Sequence, residues 1–314
     1  MGPKILVIGS SNVDMIMALP KLPSVGETVT DGSFMQTFGG KGANQAIAVA
    51  RAGGRVSFMT CVGDDDGGRA IMAALAKDGI DVSLSIVAPD VPTGAALVMF
   101  DIHGDNYLAV APGSNYGLRP KHIDAIAPRF AEFAMLVLQF EIPSDTLQAA
   151  LKTAANSRVP VLFNHAPARA FTGVIPGRVA LVVNELEASA LIAQPISSPE
   201  HVFAAAVELR KRGFEFVIVT FGGGGSFVNT AEEIFHVPAI PSKAVDTTGA
   251  GDTFCGALAV ALSDRRPMPE AVKFATAAAA ICVRRAGAQP SIPSLTEIQM
   301  LIENEDEPLH PHVK

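Results

Sequence analysis

Residues 244–256 read Ala-Val-Asp-Thr-Thr-Gly-Ala-Gly-Asp-Thr-Phe-Cys-Gly. A strand-like run, Ile234–Ile240, ends ahead of them at Pro241, and an apolar, Ala-rich run of helical period, Thr253–Leu262, follows. The Gly249-Ala250-Gly251 turn is therefore expected where a helix begins. The first N–H groups of a helix lack internal partners and sit at the positive end of its dipole. With nothing larger than a methyl group at 249–251, an anion can approach those amides. Asp252, at the mouth of such an anion hole, is placed to take a proton from a hydroxyl that is about to attack. The same pattern also fits an ordinary helix start, with Asp252 as a first-turn acid.

Other polar residues share one placement, the carboxyl end of an apolar run. Ser11-Asn12-Val13-Asp14 follows Ile5–Gly9 and brings a carboxylate suited to sugar hydroxyls. Glu141 follows Met135–Phe140, and Asn184, Glu185 and Glu187 follow Val179–Val183. Gly39-Gly40-Lys41-Gly42-Ala43-Asn44 precedes a helical run, and its glycines let backbone amides approach a small polar ligand beside Asn44. Thr220-Phe221-Gly222-Gly223-Gly224-Gly225 leaves backbone bare after another strand, as a flexible turn or a flat surface for a nucleotide. Taken singly, each residue is also an ordinary cap or loop residue; the shared placement argues for one site.

The elements that must hold these residues alternate. Continuous apolar runs at Ile5–Gly9, Val56–Thr60, Met135–Phe140, Val159–Phe163, Val179–Val183 and Phe216–Phe221 read as strands buried on both faces. Helical stretches lie between them at Asn44–Ala52, Gly68–Lys77, Thr146–Asn156, Glu185–Ile192 and His201–Arg212. This rhythm predicts an α/β fold with a mostly parallel sheet covered on both faces. Two segments break it, about 15–38 and 93–111, the second a hairpin with its turn at 102–106. They are expected to form a small separate sheet, a lid with an exposed face that can also pair two subunits. The whole chain, 1–314, reads as one domain with the lid segments inserted in it.

Composition closes several routes. Hydrophobic residues make up 49% and charged residues 18%, which predicts a large core. A net charge of −7 argues against nucleic acid or an anionic membrane as the main partner. Cys61, Cys255 and Cys282 show neither disulfide nor zinc spacing and suit a reducing cytosol. The start of the chain lacks the apolar core of a signal peptide, and no run is long enough to span a bilayer, so a cytoplasmic protein is expected. A dinucleotide fingerprint fails because Ser11 and Asp14 stand where its later glycines belong. A Walker A loop fails because Gly42 follows Lys41 and Met35 occupies the place of its first glycine. Asp64-Asp65-Asp66-Gly67 reads as a cap on the next helix rather than a calcium loop, and the tail from Glu303, with His310 and His312, as a solvated end.

These motifs resemble the ribokinase-type family of carbohydrate kinases. Gly39–Ala46 and Asp246–Phe254 match its two signatures, the second highly specific and the first pointing toward pentose kinases. Ser11–Asp14, Pro23–Thr28, Asn184–Glu187 and Gly287–Ser291 are lesser matches, and the resemblance runs from Ile5 to about Pro293. It implies a three-layer α/β/α sandwich with a small β lid that often pairs subunits. It also implies phosphorylation of D-ribose at O5 by ATP with Mg²⁺, stimulated by a monovalent cation such as K⁺. By that resemblance the sugar would lie among Asn12, Asp14, Gly39, Gly40, Lys41, Asn44, Glu141 and Asp252. Asp252 would be the base and the amides of Gly249, Ala250 and Gly251 the anion hole. Asn184, Thr220–Gly225, Gly251, Asp252 and Thr276 would surround ATP, with Glu187 near the water-coordinated Mg²⁺. Oxygens of Asp246, Thr248, Cys282, Arg285, Gly287 and Ser291, mostly backbone, would hold the cation. The chain departs from the usual family pattern at His165, at the bare Gly223-Gly224, at Cys282 and at Arg284-Arg285. A kinase of the same family acting on 2-deoxyribose or a nucleoside is the alternative, and a catalytically silent sugar-binding regulator a more remote one.

Overall fold

The structure, a computed structural model, describes residues 2–170 and 173–306. Its main sheet has eight strands in the spatial order Ile234–Val237, Ser226–Asn229, Val217–Thr220, Val179–Asn184, Val161–Asn164, Met135–Gln139, Lys4–Ile8 and Arg55–Met59. From Val217–Thr220 onward every pairing is parallel; the first two strands join through antiparallel pairings. The continuous apolar runs are explained by the two cores they serve. Ile5, Val7, Val137 and Leu162 face one cluster with the helices Lys41–Arg51, Ala250–Ser263 and Met268–Cys282. Leu6, Ile8, Leu138 and Phe163 face the other, with the helices Ser144–Asn156 and Pro199–Arg210. Successive side chains of a strand point to opposite faces, so a sheet between two helical layers needs apolar residues at both parities. The α/β/α sandwich expected from the sequence is present.

The lid is present too. Asn12–Leu19 pairs antiparallel with Ser33–Gly39 and parallel with Gly94–Asp101, which forms a hairpin with Asn106–Ala111. Phe34, Met35, Tyr107, Leu108 and Val110 are exposed on this sheet. Its first strand starts at Asn12, directly after the first core strand, and 20–32 contains no strand among the described residues. The rise in Pro and Gly between Pro20 and Gly32 accounts for that gap. Asp65 caps the helix Asp66–Lys77 by accepting from Gly68 N, as its sequence predicts. Several elements were not anticipated: the strand Ser226–Asn229, the helices Pro120–Ile126, Met268–Cys282 and Leu295–Asp306, and a two-stranded sheet of Cys61–Gly63 with Ile86–Ala88. His310 and His312 lie outside the described residues. Among the described residues no helix is long and apolar enough to cross a membrane.

One helix contact sets the spacing of the site. The helices Lys41–Arg51 and Ala250–Ser263 approach so closely at Gly256 that a Cβ there would lie 2.4 Å from the Ala48 Cβ and 2.9 Å from the Gln45 carbonyl oxygen. Gly256→Val is expected to cost about 3 kcal/mol, at the upper end of overpacking penalties, read as a lower denaturant midpoint at unchanged slope.

Candidate active site

Asp252 lies in the first turn of the helix Ala250–Ser263 and is 5% exposed. Gly249 caps that helix at φ 78°, a left-handed conformation open to glycine at little cost, and a Cβ there would press on Ala288 at 3.1 Å. The Ala250 N–H turns back to the Thr247 carbonyl at 3.2 Å. Beside Gly251 a Cβ would meet nothing within 4 Å, so open space faces the helix start where an anion would be held. The Ala250 amide is thus engaged by the turn itself.

Two amides from the helix Lys41–Arg51 hold the Asp252 carboxylate. Asn44 Nδ2 donates to Asp252 Oδ2 at 3.0 Å, and Gln45 Nε2 donates to Oδ1 at 2.9 Å. Burial raises the Asp252 pKa, while the Lys41 charge and these two donors pull against it. The result is a carboxylate more basic than an exposed one yet fixed in direction. Lys41 feels the reverse balance. Burial would lower its pKa, but the charges of Asp252, Glu141 and Glu187 leave it raised, and the ammonium is the cation those acids share.

Glu141 is tied to the same loop: Ser10 Oγ donates to its Oε2 at 2.5 Å and Lys41 N at 3.1 Å. Gly40, at φ 88°, lets the loop pass against the first strand's end, where a Cβ would sit 2.7 Å from Ser11 Cα. At Gly39 a Cβ would sit 2.0 Å from Asp14 Oδ2, so glycine there is what lets Asp14 face inward. Asp14 is pushed up to about 7 by burial and by the charge of Glu141. Asp14 Oδ1 and Asn44 Oδ1 are buried without a hydrogen-bond partner among the described residues. Two buried acceptors without partners suit a ligand rich in hydroxyl groups.

The other expected residues divide. Asn12 Oδ1 accepts from Asn115 Nδ2 at 2.8 Å, so its side-chain oxygen is engaged within the protein. Asn184 and Glu187 cap their helix reciprocally, Glu187 N donating to Asn184 Oδ1 at 2.8 Å and Asn184 N to Glu187 Oε2 at 3.0 Å. Glu187 is nevertheless raised by burial and coupled to Lys41 and Asp252, which relates it to the site. In the loop after Val217–Thr220, Gly222 and Gly223 border open space, while His236 Nε2 and the Gly224 carbonyl lie 2.6 Å apart. Thr276 Oγ1 is buried with no partner among the described residues.

The segments expected to hold a cation do meet: Thr248 N and Gly287 N donate to the two oxygens of Asp246 at 2.9 and 2.8 Å. Cys282 Sγ lies 2.9 Å from Ser291 Oγ. The Arg285 side chain turns away to pair with Glu297. His165, unusual for the pattern, is buried and stacked 5.2 Å from the Phe163 ring, and burial pushes it down to about 4. Among the described residues no cluster of three or more His, Cys, Asp or Glu could hold a metal on its own.

Sequence reasoning missed Gln45, Gln139, Asn164 and Asn115 as members of the site's frame. Gln139 and Asn164 end apolar strands just as Glu141 follows one, and that was the available signal.

A buried carboxylate beside a glycine-built helix start, facing orphaned acceptors, is the site of a carbohydrate kinase. The chain belongs to the pfkB family of carbohydrate kinases: the family described as "pfkB family carbohydrate kinase" matches residues 3–295. It is 39% identical to a ribokinase of Schizosaccharomyces pombe, over 94% of this chain and 96% of that protein. It is 34% identical to a deoxyribokinase of Salmonella typhi, over 93% and 96%. The structure of Arabidopsis thaliana ribokinase complexed with ribose and ATP superposes with a TM-score of 0.88 at 32% identity, covering 96% of this chain and 99% of that one.

Proposed function

We propose that this chain transfers the γ-phosphoryl group of ATP to O5 of D-ribose. The observation that carries the proposal is Asp252, buried, raised in pKa by that burial, and fixed by two amide donors beside a glycine-built helix start. The similarity to ribokinases, one of them solved with ribose and ATP, supports the substrates. Asp14, Gly40, Asn44 and Glu141 hold the sugar, the acceptors Asp14 Oδ1 and Asn44 Oδ1 accepting hydrogen bonds from its hydroxyls. Asp252 accepts the O5 proton as O5 bonds to the γ-phosphorus and the bond to the bridging oxygen of ADP breaks. Amides at 249–251 stabilise the charge on the transferring group, and the Lys41 ammonium balances the acids around it. Asn184, Thr220–Gly225 and Thr276 surround the nucleotide. Glu187 is the carboxylate that would approach a Mg²⁺ ion brought by ATP, and that ion would supply neutralisation of phosphate charge. Oxygens of the 246–248 and 282–291 segments would hold a monovalent cation, K⁺ for preference, whose charge would stiffen the anion hole. The lid closes over the sugar, and its exposed apolar face pairs two copies of the chain in the cytoplasm.

The deoxyribokinase relative favours 2-deoxyribose as the second reading, since one missing hydroxyl removes only part of the binding energy. ADP release with ATP, Mg²⁺ and K⁺ against ribose, 2-deoxyribose, fructose 6-phosphate, adenosine and uridine separates them. Preference for ribose supports the proposal; preference for another acceptor moves the error to the lid and sugar contacts. Exchange of K⁺ for Na⁺ is expected to lower turnover, and indifference to every monovalent ion would leave the 282–291 segment purely structural.

The raised Asp14 gives a pH prediction. Sugar hydroxyls donate to its ionised form, and the free enzyme loses that form as pH falls through about 7. The KM for sugar is expected to rise several-fold, about tenfold at most, between pH 8 and 6, and Asp14→Asn to show a high KM without that slope. A wild-type KM flat across this range would contradict it.

A further inference from the structure

Gln45 is fully buried, and both its amide protons and its oxygen are engaged in one arrangement. Its two Nε2 protons go to Asp252 Oδ1 at 2.9 Å and Asn164 Oδ1 at 3.1 Å. Its Oε1 accepts from Gln139 Nε2 at 2.7 Å. Asn164 is itself oriented by donating from Nδ2 to the Val182 carbonyl at 3.1 Å. Rotating the Gln45 amide by half a turn would aim its oxygen at two acceptors and its protons at a donor, so a single orientation survives. The residues come from the helix Lys41–Arg51, the strand Met135–Gln139 and the strand Val161–Asn164. Room for Gln139 exists because residue 9 is glycine: a Cβ there would lie 1.9 Å from Gln139 Oε1. A fold needing only a filled core could use apolar groups of the same shape at these positions at little cost. A polar chain ending on one carboxylate oxygen is better explained by that carboxylate.

We propose that Gln45 is a positioning residue for Asp252, locked in its donating orientation by Gln139 and Asn164, so that this amide chain sets the direction and basicity of the catalytic carboxylate. The proposal rests on the kinase reading for the catalytic role of Asp252. Other charged or titratable groups facing Asp252 are Lys41 on the helix Lys41–Arg51, Glu141 after Met135–Gln139, Glu187 on the helix Glu185–Ile192, Cys255 on its own helix, and Cys282 on the helix Met268–Cys282. Each of them keeps its identity when Gln45 or Gln139 is changed, so the titration of Asp252 in those variants is compared against the same set of charges.

The test compares full-length wild type, Gln45→Met, Gln139→Met and the double variant. Its readouts are ADP release from ribose and ATP across pH, ribose binding without ATP, and ¹³C-carboxyl titration of aspartate-labelled enzyme with Asp252→Asn to assign the signal. Loss of a donor to the ionised form raises the carboxylate's pKa, so the acid limb of the kcat profile should move to higher pH in Gln45→Met. Its kcat is expected to fall about 30-fold, within the range of a misdirected base, with ribose affinity held within about threefold. Gln139→Met should move the limb the same way with a loss of about fivefold, and the double variant should be no slower than Gln45→Met. An unmoved limb and carboxyl titration, or losses that multiply in the double variant, would overturn the proposal. If Gln45→Met does not fold, Gln139→Met decides by the same readouts. Wild-type silence with ribose would remove the ribokinase reading alone, because the carboxyl titration tests the amide chain without turnover.

Discussion

Asp252→Asn is expected to lower kcat by about a thousandfold or more while the sugar still binds, because removing a general base in a dry site forfeits most of its contribution. The substitution keeps shape and removes charge. Gln45 cannot turn its amide, so it continues to donate to the new Oδ1. Asn44 can turn, because its Oδ1 has no other partner among the described residues, and it would then accept from the new amide nitrogen. The site closes around the variant at the cost of one rearranged amide, so sugar affinity should fall by no more than about fivefold, the scale of one neutral hydrogen bond. Calorimetric binding of ribose and steady-state ADP release on the same preparation make the comparison. Turnover within tenfold of wild type would remove Asp252 from the role of base and leave the helix start as an ordinary cap.

The second large effect concerns Lys41. Its ammonium acts on Asp252, Glu141 and Glu187, and at Asp252 its charge opposes the effect of burial. In Lys41→Met those acids lose their shared counter-charge, and uncompensated buried carboxylates take up protons rather than stay ionised. Asp252 is then protonated over more of the neutral range and cannot act as base. A loss of about a hundredfold or more in kcat/KM at pH 7 is expected, with partial recovery as pH rises and Asp252 ionises again. Loss without recovery at high pH would assign Lys41 to contact with the transferring phosphate alone. Loss of less than threefold at every pH would show that the acids do not depend on it.

The layout of the fold was legible because its strands are buried on both faces, so that Ile5–Ile8 and Val179–Val183 leave unbroken apolar runs in the sequence. Polar residues at the ends of such runs pointed to one edge of the sheet, and the charge of Glu141 bears on both Asp14 and Asp252. Elements carrying no such signal were missed. Ser226–Asn229 is four residues long and follows a Gly-rich turn, and Met268–Cys282 starts from Pro267 with no side-chain cap. The amides behind Asp252 were hidden for a different reason. Gln45 meets Gln139 and Asp252 across 94 and 207 residues of chain, and an amide has no charge or spacing rule to mark it as a partner. Asn12 is similar: its side-chain oxygen accepts from Asn115, 103 residues away, a pairing with no local signal. Local patterns announce backbone geometry and carboxylates, whereas the partner of a neutral amide is fixed by tertiary packing alone.

Phosphorylation of the 5-hydroxyl of ribose at this site is open to direct observation. Wild-type protein incubated with ATP, Mg²⁺, K⁺ and ribose labelled with ¹³C at carbon 5 tests it in one spectrum. The expected product shows a phosphorus signal coupled to that carbon, growing in step with ADP and absent with Asp252→Asn. Phosphate on another carbon, or ADP formed without any phosphorylated sugar, would contradict the account.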